Sequence, residues 1–377
     1  MKPLSLGIFA LIVLILPATE MRAHPASGIV VDRKGQVYFS DLETVWKIDA
    51  QGKLSVFRPG VSGRHVHELT IDDQDNICGE DVSYEPATKK WISDVWKMTP
   101  KGELTYLVAP TTDPPRGMSM WRDREGNTYF IDQNNHLKQR TLLLRRTPAG
   151  EVITFAGGAY GHKDGEGTDA QFSSVGGITF GPDGSLYLAD GAFVRKVTMD
   201  GNVTTLAKDL TSRTAEDKPT LFGGLYGSLA GLTAGPTGTV YVADAGNRRL
   251  LKINPDGKVE VALRVDPPFF PNGAFATTAG DVYVLEVGFT LPNISSGPRV
   301  RKMTADGKNV ILAVVGEEGG RSARAAVAER VGVSLECALA FLVDAGPMTY
   351  GIIAASAGIL VSAALVWRNR RRQQRQA

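Results

Sequence analysis

At 377 residues, 43% hydrophobic and 22% charged with 42 glycines and 20 prolines, the chain has the composition of a turn-rich globular protein, not of a disordered or fibrous one. Two cysteines, with no CxxC or Cys/His zinc spacing, exclude a disulfide scaffold and a zinc module. The net charge of +2 comes from the ends: Lys2, Arg22 and five tail arginines outweigh Glu20 there, and residues 24–367 carry net −4, without the basic stripe that nucleic-acid binding uses.

Residues 1–23 open the chain with Lys2, an apolar run from Leu4 to Leu16, and small residues at Ala18 and Ala23. This is the layout of a secretory signal peptide, and the run is short for an uncleaved span.

From residue 24 onward the chain repeats itself. The first pattern is an opening residue, an apolar strand, a turn with Gly or Asp, and then Tyr-x-x-Asp. It reads GIVVDRKGQVYFSD (28–41), ELTIDDQDNICGED (68–81), SMWRDREGNTYFID (119–132), GGITFGPDGSLYLAD (176–190), GLTAGPTGTVYVAD (231–244) and GAFATTAGDVYVLE (273–286). Opening residue (Gly177 in the fourth copy) and terminal acid are 13 positions apart each time, which describes a β-hairpin. A second pattern follows each: a basic residue, a short turn, Gly, and another apolar strand. KIDAQGKL (47–54), KMTPKGEL (97–104) and KVTMDGNV (196–203) are examples, with five positions from base to glycine in all six copies. Two hairpins make a four-stranded antiparallel unit. Six such units predict an all-β fold, a six-bladed β-propeller over residues 24–316.

These repeats resemble a known family. DGEGTDAQFSSVGGITFGPDGSLYLADGAFVRKV (164–197) and, more loosely, GLTAGPTGTVYVADAGNRRLLKI (231–253) look like NHL repeats. The wider blade pattern, with PNG at 271–273, is similar to the senescence-marker/gluconolactonase and paraoxonase group of six-bladed propellers. The resemblance implies the fold. NHL propellers include protein binders, RNA binders and enzymes, so it implies no single activity.

Within a blade the strands, A to D from the first to the last, alternate in direction. The A–B and C–D turns therefore lie on one face, and the B–C loops and blade-to-blade connections on the other. The first set is constant in length; the variation falls on the second, in 82–95, 133–144, 155–175, 207–230 and 287–300. Variable loops on a rigid scaffold are where binding concentrates.

Internal repetition also separates scaffold residues from residues that stand apart. Asp41, Asp81, Asp132, Asp190, Asp244 and Glu286 recur in every blade, as expected of caps that accept backbone N–H bonds in a loop. The column Tyr38, Tyr129, Tyr187, Tyr241 and Tyr283, with Cys78 in the same slot, reads as packing between blades. The residue before each opening position belongs at the mouth of the central channel: Ser27, His67, Met118, Gly176, Ala230 and Asn272. His67 and Asn272 stand out, with Glu68 beside them.

The gluconolactonase and paraoxonase resemblance implies a divalent cation, usually Ca²⁺, held at this mouth by acid and amide side chains. Glu68 and Asn272 match those residue types; Ser27, Gly176 and Ala230 do not. In that reading Glu68 and Asn272 are metal ligands and His67 and Glu68 are catalytic, with His67 as base. Alternatively RHVHE (64–68) offers His65, His67 and Glu68 to zinc or copper, completed by His162 or His136. Structural hydrogen bonding by His67 stands beside both.

Beyond the repeats, residues 317–346 are Ala-rich and read as a helical linker or stalk. Residues 347–367 carry no charge and are long enough to span a membrane, and residues 368–377 hold five arginines. The positive-inside rule puts that tail in the cytoplasm and the propeller outside it. Ala354, Gly358 and Ser362 form a small-residue stripe suited to weak self-association of the span. The sequence thus describes a membrane-anchored extracytoplasmic propeller that binds a protein, glycan or small-molecule ligand through its loop-rich face. A cation-dependent lactonase or esterase-type hydrolase with its site at the channel mouth is the alternative. No G-x-S-x-G, HExxH or P-loop motif occurs.

Overall fold

Alternating apolar residues on either side of short polar turns fold into six four-stranded antiparallel sheets, each made of strands consecutive in the chain. Blade 1 holds β1 (Ile29–Val31), β2 (Val37–Ser40), β3 (Val45–Ile48) and β4 (Leu54–Arg58). Blade 2 holds β5 (Arg64–Ile71), β6 (Ile77–Glu85), β7 (Lys90–Met98) and β8 (Leu104–Thr111), and blade 3 holds β9 (Met120–Arg122), β10 (Thr128–Gln133), β11 (Thr141–Arg146) and β12 (Val152–Ala156). A two-residue strand, β13 (Gly165–Glu166), adds to the outer edge of blade 4, which holds β14 (Val175–Phe180), β15 (Leu186–Asp190), β16 (Phe193–Val197) and β17 (Asn202–Ala207). Blade 5 is β18 (Leu232–Ala234), β19 (Val240–Asp244), β20 (Arg249–Ile253) and β21 (Val259–Arg264). Blade 6 is β22 (Phe269–Ala276), β23 (Val282–Gly288), β24 (Ser296–Met303) and β25 (Asn309–Val314).

This is the six-bladed propeller expected from the repeats. The computed structural model describes residues 28–316 apart from 86, 89, 113–119, 124, 134–138, 218–228 and 289–295. The signal peptide, stalk, span and tail expected from the sequence lie outside the described residues, as do Ser27, Met118 and His136. Among the described residues no helix is long and apolar enough to cross a membrane.

The turns on the uniform face follow from their side chains. Asp32 accepts the backbone N–H groups of Lys34 and Gln36 at 2.9 and 2.8 Å, and Asp72 and Asp123 hold Asn76 and Asn127 in the same way. Glycine takes the left-handed position that closes most of these turns. In blade 2 that position is Asp75, with φ 62°, at a conformational cost of roughly 1 kcal/mol. Its carboxylate meets the Arg33 guanidinium of blade 1 at 3.0 Å, tying two turns together.

Packing between blades supplies the core. Ile29, Phe39 and Ile48 of blade 1 meet Tyr283, Leu285 and Val300 of blade 6 in one buried cluster, so the ring closes through side chains without an exchanged strand. Tyr38 lies in the cluster shared by blades 1 and 2, Tyr129 in that of blades 3 and 4, and Tyr187 in that of blades 4 and 5. The Tyr column therefore packs between blades, and Cys78 is buried in its slot with the thiol pushed up to about 11 by burial. The boundary between blades 2 and 3 differs. There Glu80, Arg122, Thr128 and Arg146 surround a cavity of about 20 Å³, and no buried apolar cluster bridges it among the described residues.

The acid ending each B strand does more than cap a loop. Asp41 accepts the Thr44 N–H at 2.9 Å and Asp190 the Ser173 N–H at 2.7 Å, as expected. Each acid also receives a side-chain donor, in five blades from strand C. Trp46 donates to Asp41 at 2.9 Å, Trp96 to Asp81 at 3.0 Å, Arg195 to Asp190 at 3.0 Å and Arg249 to Asp244 at 2.8 Å. Arg299 and Arg301 both reach Glu286, at 2.5 Å. In blade 3, Arg140 from the loop reaches Asp132 at 3.0 Å.

Trp96 is fully buried over the backbone of Gly79, where an added Cβ would lie 2.4 Å from the indole ring. Gly79→Ala is expected to destabilise the domain by ~1–3 kcal/mol through overpacking, read as a lower midpoint in urea unfolding followed by tryptophan fluorescence.

Candidate functional site

The channel mouth is shaped by a backbone irregularity repeated in alternate blades. In β5 the register passes from Val66 opposite Asp81 to Leu69 opposite Gly79, so His67 and Glu68 together face Glu80. The same single-residue bulge falls between Val175 and Gly177 in β14 and between Pro271 and Gly273 in β22. His67, Gly176 and Asn272 thus share a bulged position, and bulges re-aim side chains where a sheet meets its rim. The bulge also turns backbone toward the preceding blade: Gly28 N–H donates to the His67 carbonyl at 3.0 Å, and Gly231 N–H to that of Asn272 at 2.9 Å.

These bulges separate the three residues singled out in the sequence. Glu68 lines the central cavity, a space of about 30 Å³ whose other walls include Ile29, Val30, Trp121, Leu232 and Phe275. His67 is 4% exposed and Asn272 2% exposed, and neither lines that cavity. Burial, with the nearby His65 ring contributing, pushes the His67 imidazole down to about 3. It is therefore neutral at any ordinary pH, far below the range in which imidazole exchanges a catalytic proton well.

Among the described residues the donors at the mouth do not make up a Ca²⁺ shell. Glu68 is the carboxylate of the cavity wall, with the Thr179 and Thr233 residues beyond it, where Ca²⁺ takes six to eight oxygens. Asn272, the second residue matched by the resemblance, stands apart from that wall. The HxH reading meets a similar obstacle. The His65 and His67 rings lie edge to face with centroids 6.1 Å apart. His162 is committed to blade 4, stacked on Phe193 at 4.3 Å beside Asp190. Among the described residues no group of three His, Cys, Asp or Glu side chains is placed to hold a metal ion.

Two features of the loop-bearing face are not apparent from the repeats. At the base of the long β6–β7 hairpin, Asp94 stands directly opposite Asp81. Arg58 and Trp96 saturate Asp81, whereas Asp94, among the described residues, pairs with Arg64 at 3.8 Å and keeps a buried oxygen without a hydrogen bond. Burial, and then the Asp81 charge, push Asp94 up to about 6. The second feature is Arg248, in the B–C loop of blade 5, buried with its Nε unbonded. The strand-C donors do leave a sequence signal. Trp46, Trp96, Arg195 and Arg301 each precede the repeated basic residue. Asp94 and Arg248 leave none, because their character comes from missing partners.

No family model and no curated protein matches the chain. Solved structures do resemble it. Virginiamycin B lyase from Staphylococcus aureus is 18% identical, covering 77% of this chain and 85% of its own, with a TM-score of 0.45. A gluconolactonase from Xanthomonas campestris is 12% identical, covering 70% and 82%, with a TM-score of 0.46. The calcium-binding protein regucalcin from Agrobacterium tumefaciens is 14% identical, covering 70% and 83%, also at 0.46. All are distant likenesses, and nothing about activity follows from them at this level.

Two pH effects of opposite sign follow from the site. An unfolded His67 takes up a proton below about 6.5 that the folded site refuses until about 3, so it costs stability as pH falls through that window. His67→Gln is expected to remove this loss, changing the difference from wild type by ~2–3 kcal/mol between pH 7 and pH 4, measured by urea unfolding at each pH. Asp94 behaves in reverse, since its folded carboxyl holds a proton more tightly than the unfolded one. Asp94→Asn should stabilise the protein by ~1–2 kcal/mol above pH 6, the shift being discounted for solvent screening, and the gain should fade as pH falls toward 3.8. The same unfolding series checks it.

Proposed function

We propose that the chain is a recognition propeller that binds its ligand on the loop-bearing face. The observation that carries this reading is the small space the described residues leave at the centre of the ring. A cavity of about 30 Å³ is a small fraction of the 300–1,000 Å³ of an ordinary ligand pocket, while the long connections gather on one face. The other face consists of uniform turns, suited to scaffold and not to recognition. On the loop face the β6–β7 hairpin rises from blade 2 with Tyr84 and Trp91 packed edge to face at 5.2 Å, both half-buried. Paired aromatics on a projecting element are the kind of anchor that dominates binding energy. The ligand is a protein, glycan or small molecule. The apolar run 347–367 and its arginine-rich tail support tethering to a membrane with this face outside the cytoplasm.

A second reading is favoured by Glu68, the carboxylate that the blade 2 bulge delivers to the channel wall. It is hydrolysis of a lactone or ester at the mouth. Detergent-solubilised full-length chain, applied to glycan and peptide arrays and assayed in parallel for lactone and aryl-ester turnover, separates the two. Saturable binding that weakens at least tenfold in Trp91→Ala (about 1.4 kcal/mol), without turnover, is expected. Turnover that is lost in Glu68→Gln would put the hydrolase first.

A further inference from the structure

Arg248 is a buried cation that no carboxylate among the described residues meets in an ion pair. It follows the short turn Ala245–Asn247 in the blade 5 B–C loop, in the left-handed region at φ 55°, and is 8% exposed. The other buried arginines each meet a carboxylate: Arg58 meets Asp81, Arg195 meets Asp190, and Arg249 meets Asp244. The Arg248 Nη1 donates to the Phe269 carbonyl. Its Nε is buried with no hydrogen bond, and desolvation alone lowers its pKa, with no carboxylate opposing it. An unopposed buried charge is among the costlier features a fold can carry.

The surroundings accentuate the imbalance. Phe269 holds Arg248 through its carbonyl and carries the Arg299 guanidinium over its ring at 3.7 Å. Near Phe269, therefore, Arg299 and Arg301 share one carboxylate, Glu286, while Arg248 is held by a carbonyl. In the connection leading into blade 5, Glu216 is paired with Arg264, and Asp217 with Arg249 and Arg264. Residues 218–228 and 289–295 contain no Asp or Glu.

We propose that Arg248 is the receptor for an oxyanion group of the ligand, a carboxylate, phosphate or sulfate. The group is taken on the Nε and Nη2 edge, and Arg299 adds a second positive charge. A guanidinium edge with two parallel N–H donors matches such groups in geometry as well as charge, and the buried setting strengthens the contact relative to one in water. The proposal rests on the recognition reading of this face and narrows its ligand to one that bears an anion.

The test uses full-length chain in detergent, with arginine side chains labelled for NMR, and acetate, inorganic phosphate and sulfate as probes against chloride at matched ionic strength. At least one oxyanion is expected to shift the Arg248 Nε–H resonance saturably and to raise Tm. Arg248→Met should weaken that thermal response at least tenfold while being no less stable than wild type in chloride, since it removes an unopposed buried charge. Arg248→Lys, which keeps the charge and loses the fork, should retain part of the response, and it decides the question if the Met variant does not fold. Silence of the Nε–H resonance toward all three probes overturns the proposal, as does an undiminished response in either variant. Array ligands captured equally by wild type and Arg248→Met would remove the anion site and leave recognition standing. An oxyanion response at Arg248 with no array ligand would leave the anion site and remove the support for recognition.

Discussion

The contact on which the architecture turns is the one between the acid ending each B strand and the donor presented to it. Asp190 and Arg195 show it most fully: both are buried, and Asp164 holds the far side of the same guanidinium at 2.8 Å. Desolvating such a pair offsets much of its attraction, so its main contribution is geometric rather than a large net stabilisation. It fixes where strand B stops and which way the chain leaves. Everything on the loop-bearing face departs from that level, including the β6–β7 hairpin above Asp81 and the Arg248 turn above Asp244.

The propeller was legible because its determinants repeat. Tyr, terminal acid, basic residue and turn glycine recur at fixed spacing, and the Tyr column and the turn glycines do in the structure what their recurrence implied. The acids were legible only in part. Their role as loop caps holds for Asp41 and Asp190, but the Trp and Arg donors bind them from a neighbouring strand, a relation that spacing along one chain does not display.

The individual residues fared differently, for a physical reason. RHVHE has the composition of a metal site, but the β5 bulge divides it, sending Glu68 to the channel wall and burying His67 beside the Gly28 backbone. Residue type reports capacity, whereas protonation and access are set by what packs around the side chain. Asp94 and Arg248 make the same point from the other side. Neither stands out in sequence, and each becomes distinctive only because the fold surrounds it without meeting its charge in full.

The direction of the strands has a consequence at the chain ends. β1 begins on the loop-bearing face and β25 finishes there, so Gly28 and Gly316 both sit at that rim. A fusion joined directly at Gly28 or Gly316 would stand at the rim that bears the recognition loops, while one placed in the turns of the opposite face would leave it clear.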